Sequence, residues 1–109
     1  MSVQITQGKA RVFNFSVVLN GAVNTTAPAT AQSGNAANIR VTMNPSNNRQ
    51  FAVVALQLNG SGTNANVDCG GLPTAHQIVQ VIAPPLQDGI AVDEAGVGPE
   101  VDPSTIPWA

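Results

Sequence analysis

Charged residues are unusually scarce in this sequence. Asp, Glu, Lys and Arg make up 9% of its 109 residues, whereas globular proteins carry about 25%. The net charge of −2 offers nothing to attract a phosphate backbone, so we expect no nucleic-acid partner. Solubility must come from neutral polar side chains. Because these cost less to desolvate than charges, such a surface is suited to lie against other proteins.

Cysteine, aromatic residues and long apolar runs are also scarce. The single Cys69 excludes an internal disulfide and a Cys-Cys zinc pattern. No apolar run approaches the roughly 20 residues of a membrane helix, so we expect no membrane insertion. The opening MSVQITQGKARVF lacks the apolar region of a signal peptide, and we therefore expect no export by the general secretory route.

Few residues suggest chemistry. Asp68, Cys69 and His76 are the only candidates for a nucleophile and its base. No loop resembling an oxyanion hole accompanies them, and the alternative is a half-buried Cys at a strand end beside a surface His. The sequence therefore predicts that the protein is not an enzyme.

The few charges are divided between the two halves of the chain. The first half holds every basic residue, Lys9, Arg11, Arg40 and Arg49, and the second half every acidic one, Asp68, Asp88, Asp93, Glu94, Glu100 and Asp102. Either early strands pair with late ones inside the domain, or two patches of opposite sign order subunits head to tail. The late acids lack the spacing of a calcium loop, and no phosphate loop is present. We expect no metal and no cofactor.

Alternating apolar residues between turn signals predict β-strands. Residues 11–19, RVFNFSVVL, form one alternating strand that ends at Asn20-Gly21, a strong turn signal. NIRVTM, residues 38–43, repeats the pattern. QFAVVALQL is apolar on both faces, as in a central strand, and is expected to form a hairpin with TNANVDC. HQIVQVIA follows, and GIAVD is a further candidate. The sequence predicts an all-β, antiparallel two-sheet sandwich.

Two segments fall outside this scaffold. Residues 21–37, GAVNTTAPATAQSGNAA, are longer than most structureless loops; they form either a contact loop or a loop with a short edge strand at 21–24. Residues 94–109 are rich in Pro and Gly and form an extended arm that either docks on a neighbour or folds back on its own domain. The expected division is a sandwich domain at 1–93 and an arm at 94–109. Candidate partner-contact residues are Thr25, Thr26, Val101, Ile106, Pro107 and Trp108.

Residues 38–85 resemble the immunoglobulin-like modules of bacterial surface proteins and phage virion proteins. Three stretches carry the likeness: NIRVTMNPSNNRQFAVVAL, GSGTNANV and QIVQVIAPP. The resemblance implies an immunoglobulin-like or related Greek-key sandwich. The paired cysteines and core tryptophan of antibody domains are not reproduced, since Cys69 has no partner and Trp108 is next to last.

Together these features predict a structural or accessory protein of an assembled particle. A phage head-decoration or tail-associated protein would need no export signal, because virions assemble in the cytoplasm. Its partners would be copies of itself or other virion subunits, and its location the virion or an extracellular particle. The alternative is a glycan- or cell-surface-binding module of a larger bacterial extracellular protein. Aromatic residues are only 4% of the chain and Tyr is absent, so only Trp108 is free to stack on a sugar.

Overall fold

The computed structural model of the chain describes residues 2–83 and 97–109. They form two sheets of four and three strands and a separate two-stranded hairpin, which confirms the predicted all-β sandwich. No helix long and apolar enough to cross a bilayer occurs in these two ranges. The elements are β1 (Ser2–Thr6), β2 (Ala10–Asn14), β3 (Val17–Leu19), β4 (Ala22–Asn24), β5 (Ala29–Ser33), β6 (Ile39–Asn44), β7 (Asn47–Ala55), β8 (Thr63–Cys69), β9 (Ala75–Ile82) and a 3₁₀ turn (Pro103–Thr105).

The strand order is that of an immunoglobulin-type Greek key. Sheet A has the order β1-β9-β8-β5 and sheet B the order β2-β7-β6. When the β3–β4 hairpin is set aside, these orders match the C-F-G and B-E-D strands of immunoglobulin domains. All strand pairs are antiparallel except β1 with β9, which is parallel. The sequence analysis missed β1, although Val3 and Ile5 alternate with polar residues and Gly8 follows in a turn with φ of 87°.

The strand predicted over residues 11–19 is divided in two. β2 ends at Asn14 and β3 begins at Val17, so the chain leaves sheet B between them. The predicted turn is confirmed: Asn20 has φ of 53° and Gly21 has φ of 78°. Two successive positive φ values define the type I′ turn, which joins β3 to β4.

Residues 21–37, predicted as one long loop, contain two strands. β4 lies at Ala22–Asn24, where a short edge strand was the alternative, and β5 at Ala29–Ser33 forms an edge of sheet A. β5 reads Ala-Thr-Ala-Gln-Ser and directs only the small side chain of Ala31 into the core. Without a large apolar residue the alternation is not visible as a strand pattern.

β7 is the central strand of sheet B, as predicted, and every residue from Phe51 to Ala55 is buried. On the inner face, Phe51 stacks on Phe13 with ring centroids 5.2 Å apart. On the outer face, Ala52 and Val54 lie in a second apolar cluster with Ala10 and Ile106. The strand is apolar on both faces because the C-terminal segment covers the face that would otherwise meet water.

The predicted hairpin between β7 and the strand TNANVDC is wrong, since β8 belongs to the opposite sheet. Asn59 stabilises the crossing: its amide nitrogen donates to the carbonyl of Val79 at 2.9 Å, and its oxygen accepts from Val81 N at 2.9 Å. A Greek-key crossing and a hairpin need the same Asn-Gly-Ser-Gly flexibility, so the turn residues do not distinguish them. The buried Thr63 and Ala65 show that β8 is part of the core.

The C-terminal segment, residues 97–109, lies along β2. Val101 exchanges backbone hydrogen bonds of 2.8 and 2.9 Å with Ala10, and Gly98 N donates to the carbonyl of Val12 at 2.9 Å. The candidate strand GIAVD, the closing Pro84-Pro85, the acids Asp88, Asp93 and Glu94 and the predicted domain boundary at 93/94 all lie outside the described residues.

Candidate contact surface

The longest uncharged part of the chain includes an exposed hairpin and a strand at the edge of a sheet. No Asp, Glu, Lys, Arg or His occurs between Arg11 and Arg40; residues 12–39 are the uncharged segment. It comprises the β3–β4 hairpin, the edge strand β5 and their connections. Charged residues are depleted at the centres of protein interfaces, so this segment is the first candidate for a contact surface.

Two large apolar side chains are exposed together on the β3–β4 hairpin. Val18 is 56% exposed and Val23 is 70% exposed, and the two are direct cross-strand partners. The sequence analysis missed this pair, although the Asn20-Gly21 turn fixes its register: a two-residue turn places the residues at equal distances from it opposite each other.

Arg49 fixes the base of this hairpin. Its guanidinium donates to the carbonyl of Asn24 at 3.0 and 3.1 Å and to that of Ala27 at 2.9 Å. It also lies 5.9 Å from the centroid of the Phe15 ring, within reach of a cation–π attraction. These multiple donors hold the hairpin in one orientation on the sandwich.

Thr25 and Thr26, two of the predicted contact residues, lie in the turn after this hairpin. Both are exposed, and the Asn24 side-chain oxygen accepts from Thr26 N at 3.0 Å. They line a shallow polar cleft whose other wall is formed by residues 45–48, the turn after β6 and the start of β7. Thr25 and Thr26 therefore lie across this cleft from Asn47 and Asn48.

A groove of about 280 Å³ opens beside the hairpin. Its lining is mainly apolar and includes Phe13, Phe15, Val17, Phe51, Val67 and Leu72. Leu72 is 38% exposed at its rim. The groove thus continues the apolar surface of Val18 at one end of the sandwich.

The candidate nucleophile set is not assembled as a catalytic pair. Cys69 is buried and lies at the end of β8. This agrees with the alternative of a structural Cys at a strand end. His76 Nδ1 instead contacts the side-chain oxygen of Asn66, and Asp68 accepts from the hydroxyl of Thr74. Neither side chain is hydrogen-bonded to the thiol that it would have to activate.

No cluster of three or more metal-ligating side chains occurs in residues 2–83 and 97–109. Three of the charged groups that the structure describes, Arg11, Arg49 and Glu100, are hydrogen-bonded to backbone atoms. Glu100 accepts from Thr6 N at 2.6 Å and from the Thr6 hydroxyl at 2.9 Å, and Arg11 Nη1 donates to the carbonyl of Gly98 at 2.8 Å. Residues from the first and second halves of the chain therefore contact each other within the domain. In both contacts a charged side chain binds a neutral group, Glu100 with Thr6 and Arg11 with Gly98.

The predicted contact residues of the C-terminal arm lie on their own domain. Val101 pairs with Ala10, and Ile106 is 8% exposed on the outer face of sheet B. Trp108 packs against the same cluster and stays partly exposed, while Pro107 is exposed. The arm folds back, which was the alternative to docking on a neighbour; contact of these residues with a partner stays a prediction.

The outer face of sheet A carries mostly neutral amides and hydroxyls, together with Asp68, which lies opposite Thr30, and the exposed Ile78. Gln4 on β1 donates to Gln80 on β9 at 3.2 Å, and Gln80 in turn donates to the carbonyl of Gly60 at 2.9 Å. Thr30 and Gln32 continue the polar row on β5. This is a broad surface on which few charges must lose their water when another protein covers it.

No protein-family model matches this sequence, and no curated protein matches it significantly. Two solved structures are similar in fold. Domains 4 and 5 of the S-layer protein SbsC superpose with a TM-score of 0.62 at 15% identity, over 75% of this chain and 47% of that one. Domains 5–6 of the same protein give a TM-score of 0.63 at 14% identity, over 74% of this chain and 39% of that one.

The chain thus spans less than half the length of each structure it matches. At this identity the likeness establishes the fold: a β-rich module of the kind found in a bacterial surface protein.

Proposed function

We propose that this chain is a non-enzymatic structural module that works by protein–protein contact in an extracellular surface assembly. The observation that carries the proposal is the uncharged segment, which contains an exposed hairpin and the last strand of sheet A, β5. The likeness to modules of an S-layer protein supports the same class of function. Copies of this chain are the proposed partners, because a neutral surface meets no repulsion from itself.

Sedimentation velocity across micromolar to millimolar concentrations tests this proposal. We expect the sedimentation coefficient of the intact chain to rise with concentration, since apolar and neutral polar surface is removed from water on association. We expect the rise to persist at high salt, because charge pairs contribute little to it. A coefficient that stays at the monomer value throughout would contradict the proposal.

The head-decoration or tail-associated role predicted from the sequence would also work by protein–protein contact, but in a virion. Of the two particle types, we favour the bacterial surface layer, because both similar structures come from an S-layer protein. Nothing in the comparisons points to a virion.

A glycan- or cell-surface-binding module is the second candidate. The polar cleft between Thr25-Thr26 and residues 45–48 favours it, since hydroxyl and amide groups converge there. No aromatic ring lines that cleft, and stacking on a ring is a usual part of sugar binding. Saturable binding of the monomer on a glycan array, lost in Thr25→Ala/Thr26→Ala, would favour this function over self-association.

A further inference from the structure

The two sides of the sandwich end differently. On one side, the free edge of β2 is covered by the C-terminal segment through Val101 and Gly98, and β1 is tied to this side by Arg11, which donates to the carbonyl of Gln4 at 3.0 Å. On the other side lie β5 of sheet A and β6 of sheet B. Within residues 2–83 and 97–109, β5 pairs only with β8 and β6 only with β7.

β6 carries features that oppose edge pairing, and β5 does not. The exposed Arg40 lies on β6, and the β6–β7 register shifts between Met43 and Asn44. Charges and irregularities on an edge strand are the usual protection against adding another strand. β5 has no charge, no proline and no bulge over Ala29–Ser33.

The register of β5 shows which backbone groups face outward. Gly34 N donates to the carbonyl of Asn64 at 2.8 Å, so this is a hydrogen-bonded pair of the β5–β8 ladder. Hydrogen-bonded and non-hydrogen-bonded pairs alternate along an antiparallel ladder. Thr30 and Gln32 therefore direct their backbone groups toward β8, and Ala29, Ala31 and Ser33 direct theirs away from the domain.

We infer that β5 pairs with β5 of a second copy of this chain, antiparallel and centred on Ala31. This inference rests on the proposed function and names its interface. In that register each outward N–H of Ala29, Ala31 and Ser33 meets an outward carbonyl of the other copy, and sheet A continues from one copy to the next. The contact is two-fold symmetric, and such a contact requires a surface complementary to itself.

The second copy is the occupant because the strand is complementary to itself. Centring on Ala31 places Thr30 of each copy opposite Gln32 of the other, in non-hydrogen-bonded pairs, where cross-strand side chains approach most closely. Both side chains are exposed on the outer face of sheet A. A hydroxyl facing an amide introduces no like-charge repulsion. The nearest charge on this face is Asp68 on β8, on the side of Thr30 that faces away from the second copy.

Charge substitutions at these two positions test the register by sedimentation velocity. Thr30→Lys/Gln32→Lys places lysine opposite lysine in both symmetric pairs and should raise the dimer dissociation constant roughly tenfold or more. Thr30→Lys/Gln32→Glu places lysine opposite glutamate and should restore association. Because both positions are exposed, both variants should keep the circular-dichroism spectrum of the unmodified chain.

Ser2→Lys/Gln4→Lys is the matched control, since it adds the same charge to the outer face of the same sheet on β1, at its opposite edge. It should associate like the unmodified chain.

Four results would overturn the inference. If the unmodified chain stays monomeric, the proposed function fails as well. If the chain associates and Thr30→Lys/Gln32→Lys has no effect, only the β5 contact fails. Failure of Thr30→Lys/Gln32→Glu to restore association would refute this register. If Ser2→Lys/Gln4→Lys weakened association as much as Thr30→Lys/Gln32→Lys, the contact would not be located at β5.

Discussion

At the scale of single residues, the crossing between the sheets depends on one glycine. Gly62 has φ of +129°, and a Cβ added there would lie 2.5 Å from Ile78 Cγ2 and 3.3 Å from the carbonyl oxygen of Val79. The left-handed backbone and the close approach of β9 both exclude a side chain. Gly71 is different: a Cβ there meets nothing within 4 Å.

Gly62→Ala should therefore lower the free energy of unfolding by about 2 kcal/mol, from backbone strain and displacement of Ile78. Gly71→Ala, an exposed position with an ordinary φ, is the control and should change it little. Urea denaturation of both variants measures the difference. Equal stabilities of the two variants would show that the β7–β8 crossing adapts to a side chain at position 62.

A second residue-scale feature is the cap of the 3₁₀ turn by Asp102. The backbone N–H and the hydroxyl of Ser104 donate to its carboxylate, and these bonds lower the pKa of Asp102 below its ordinary 3.8. A lowered pKa in the folded state means that the carboxylate stabilises the fold above the unfolded pKa, and that this contribution is lost as pH falls through the folded one.

The turn next to Ile106 and Trp108 should thus loosen under acid conditions. Trp108 is the single tryptophan, and its fluorescence during an acid titration measures the loosening. Asp102→Asn keeps an acceptor but does not titrate there, so the variant should lack the part of the fluorescence change that belongs to Asp102. Identical titration curves for the two proteins would contradict this role.

At the scale of elements, the C-terminal segment acts as a cover for sheet B. Ile106 fills the outer face above Ala10, Ala52 and Val54. The sequence analysis treated residues 94–109 as an arm separable from a folded domain, but the outer face of β7 is apolar and needs this cover. Burial on both faces is what made QFAVVALQL recognisable as a central strand.

Ile106→Ala should therefore destabilise the whole domain, by about 2 kcal/mol, through the cavity that it leaves. Pro107→Ala, at the exposed neighbouring position, should have little effect. Thermal unfolding followed by circular dichroism measures both. Unchanged stability of Ile106→Ala would mean that the segment is an appendage that contributes little to the stability of the domain.

Elements with large apolar residues at regular spacing were predictable, and those without were not. β6, β7 and β9 follow from the alternation or run of Val, Ile and Phe, and Asn20-Gly21 fixed the hairpin turn. β5 was missed because Ala31 is its contribution to the main core and a small side chain gives no hydrophobic signal. β8 was assigned to the wrong sheet because a turn sequence does not specify whether the chain returns or crosses.

The sequence predicted that the protein has a protein-contact surface, but it did not show that β5 would be part of that surface. Low charge indicated protein contact, and Thr25 and Thr26 do lie exposed beside the hairpin. The place of β5 at the edge of sheet A depends on which strands pair, and its pairing joins residues distant in sequence, such as Ala31 and Val67. The sequence of residues 94–109 shows that it cannot form a long strand, but not that it covers β2.

At the scale of the whole molecule, the described residues form an elongated body of 46 × 24 × 22 Å. The Arg49-anchored hairpin lies beside the apolar groove, and the C-terminal segment closes one side of the sandwich. On the other side, β5 has β8 as its one strand partner among residues 2–83 and 97–109. A module with one closed and one open side can make a defined contact without continuing to add strands indefinitely.

The uninterrupted neutrality of residues 12–39 has a consequence for the setting in which such a coat could serve. Junctions made of backbone amides, hydroxyls and small methyl groups carry no ion atmosphere to shed or regain when neighbours meet. An assembly joined through them should therefore hold together equally well in dilute and in concentrated salt.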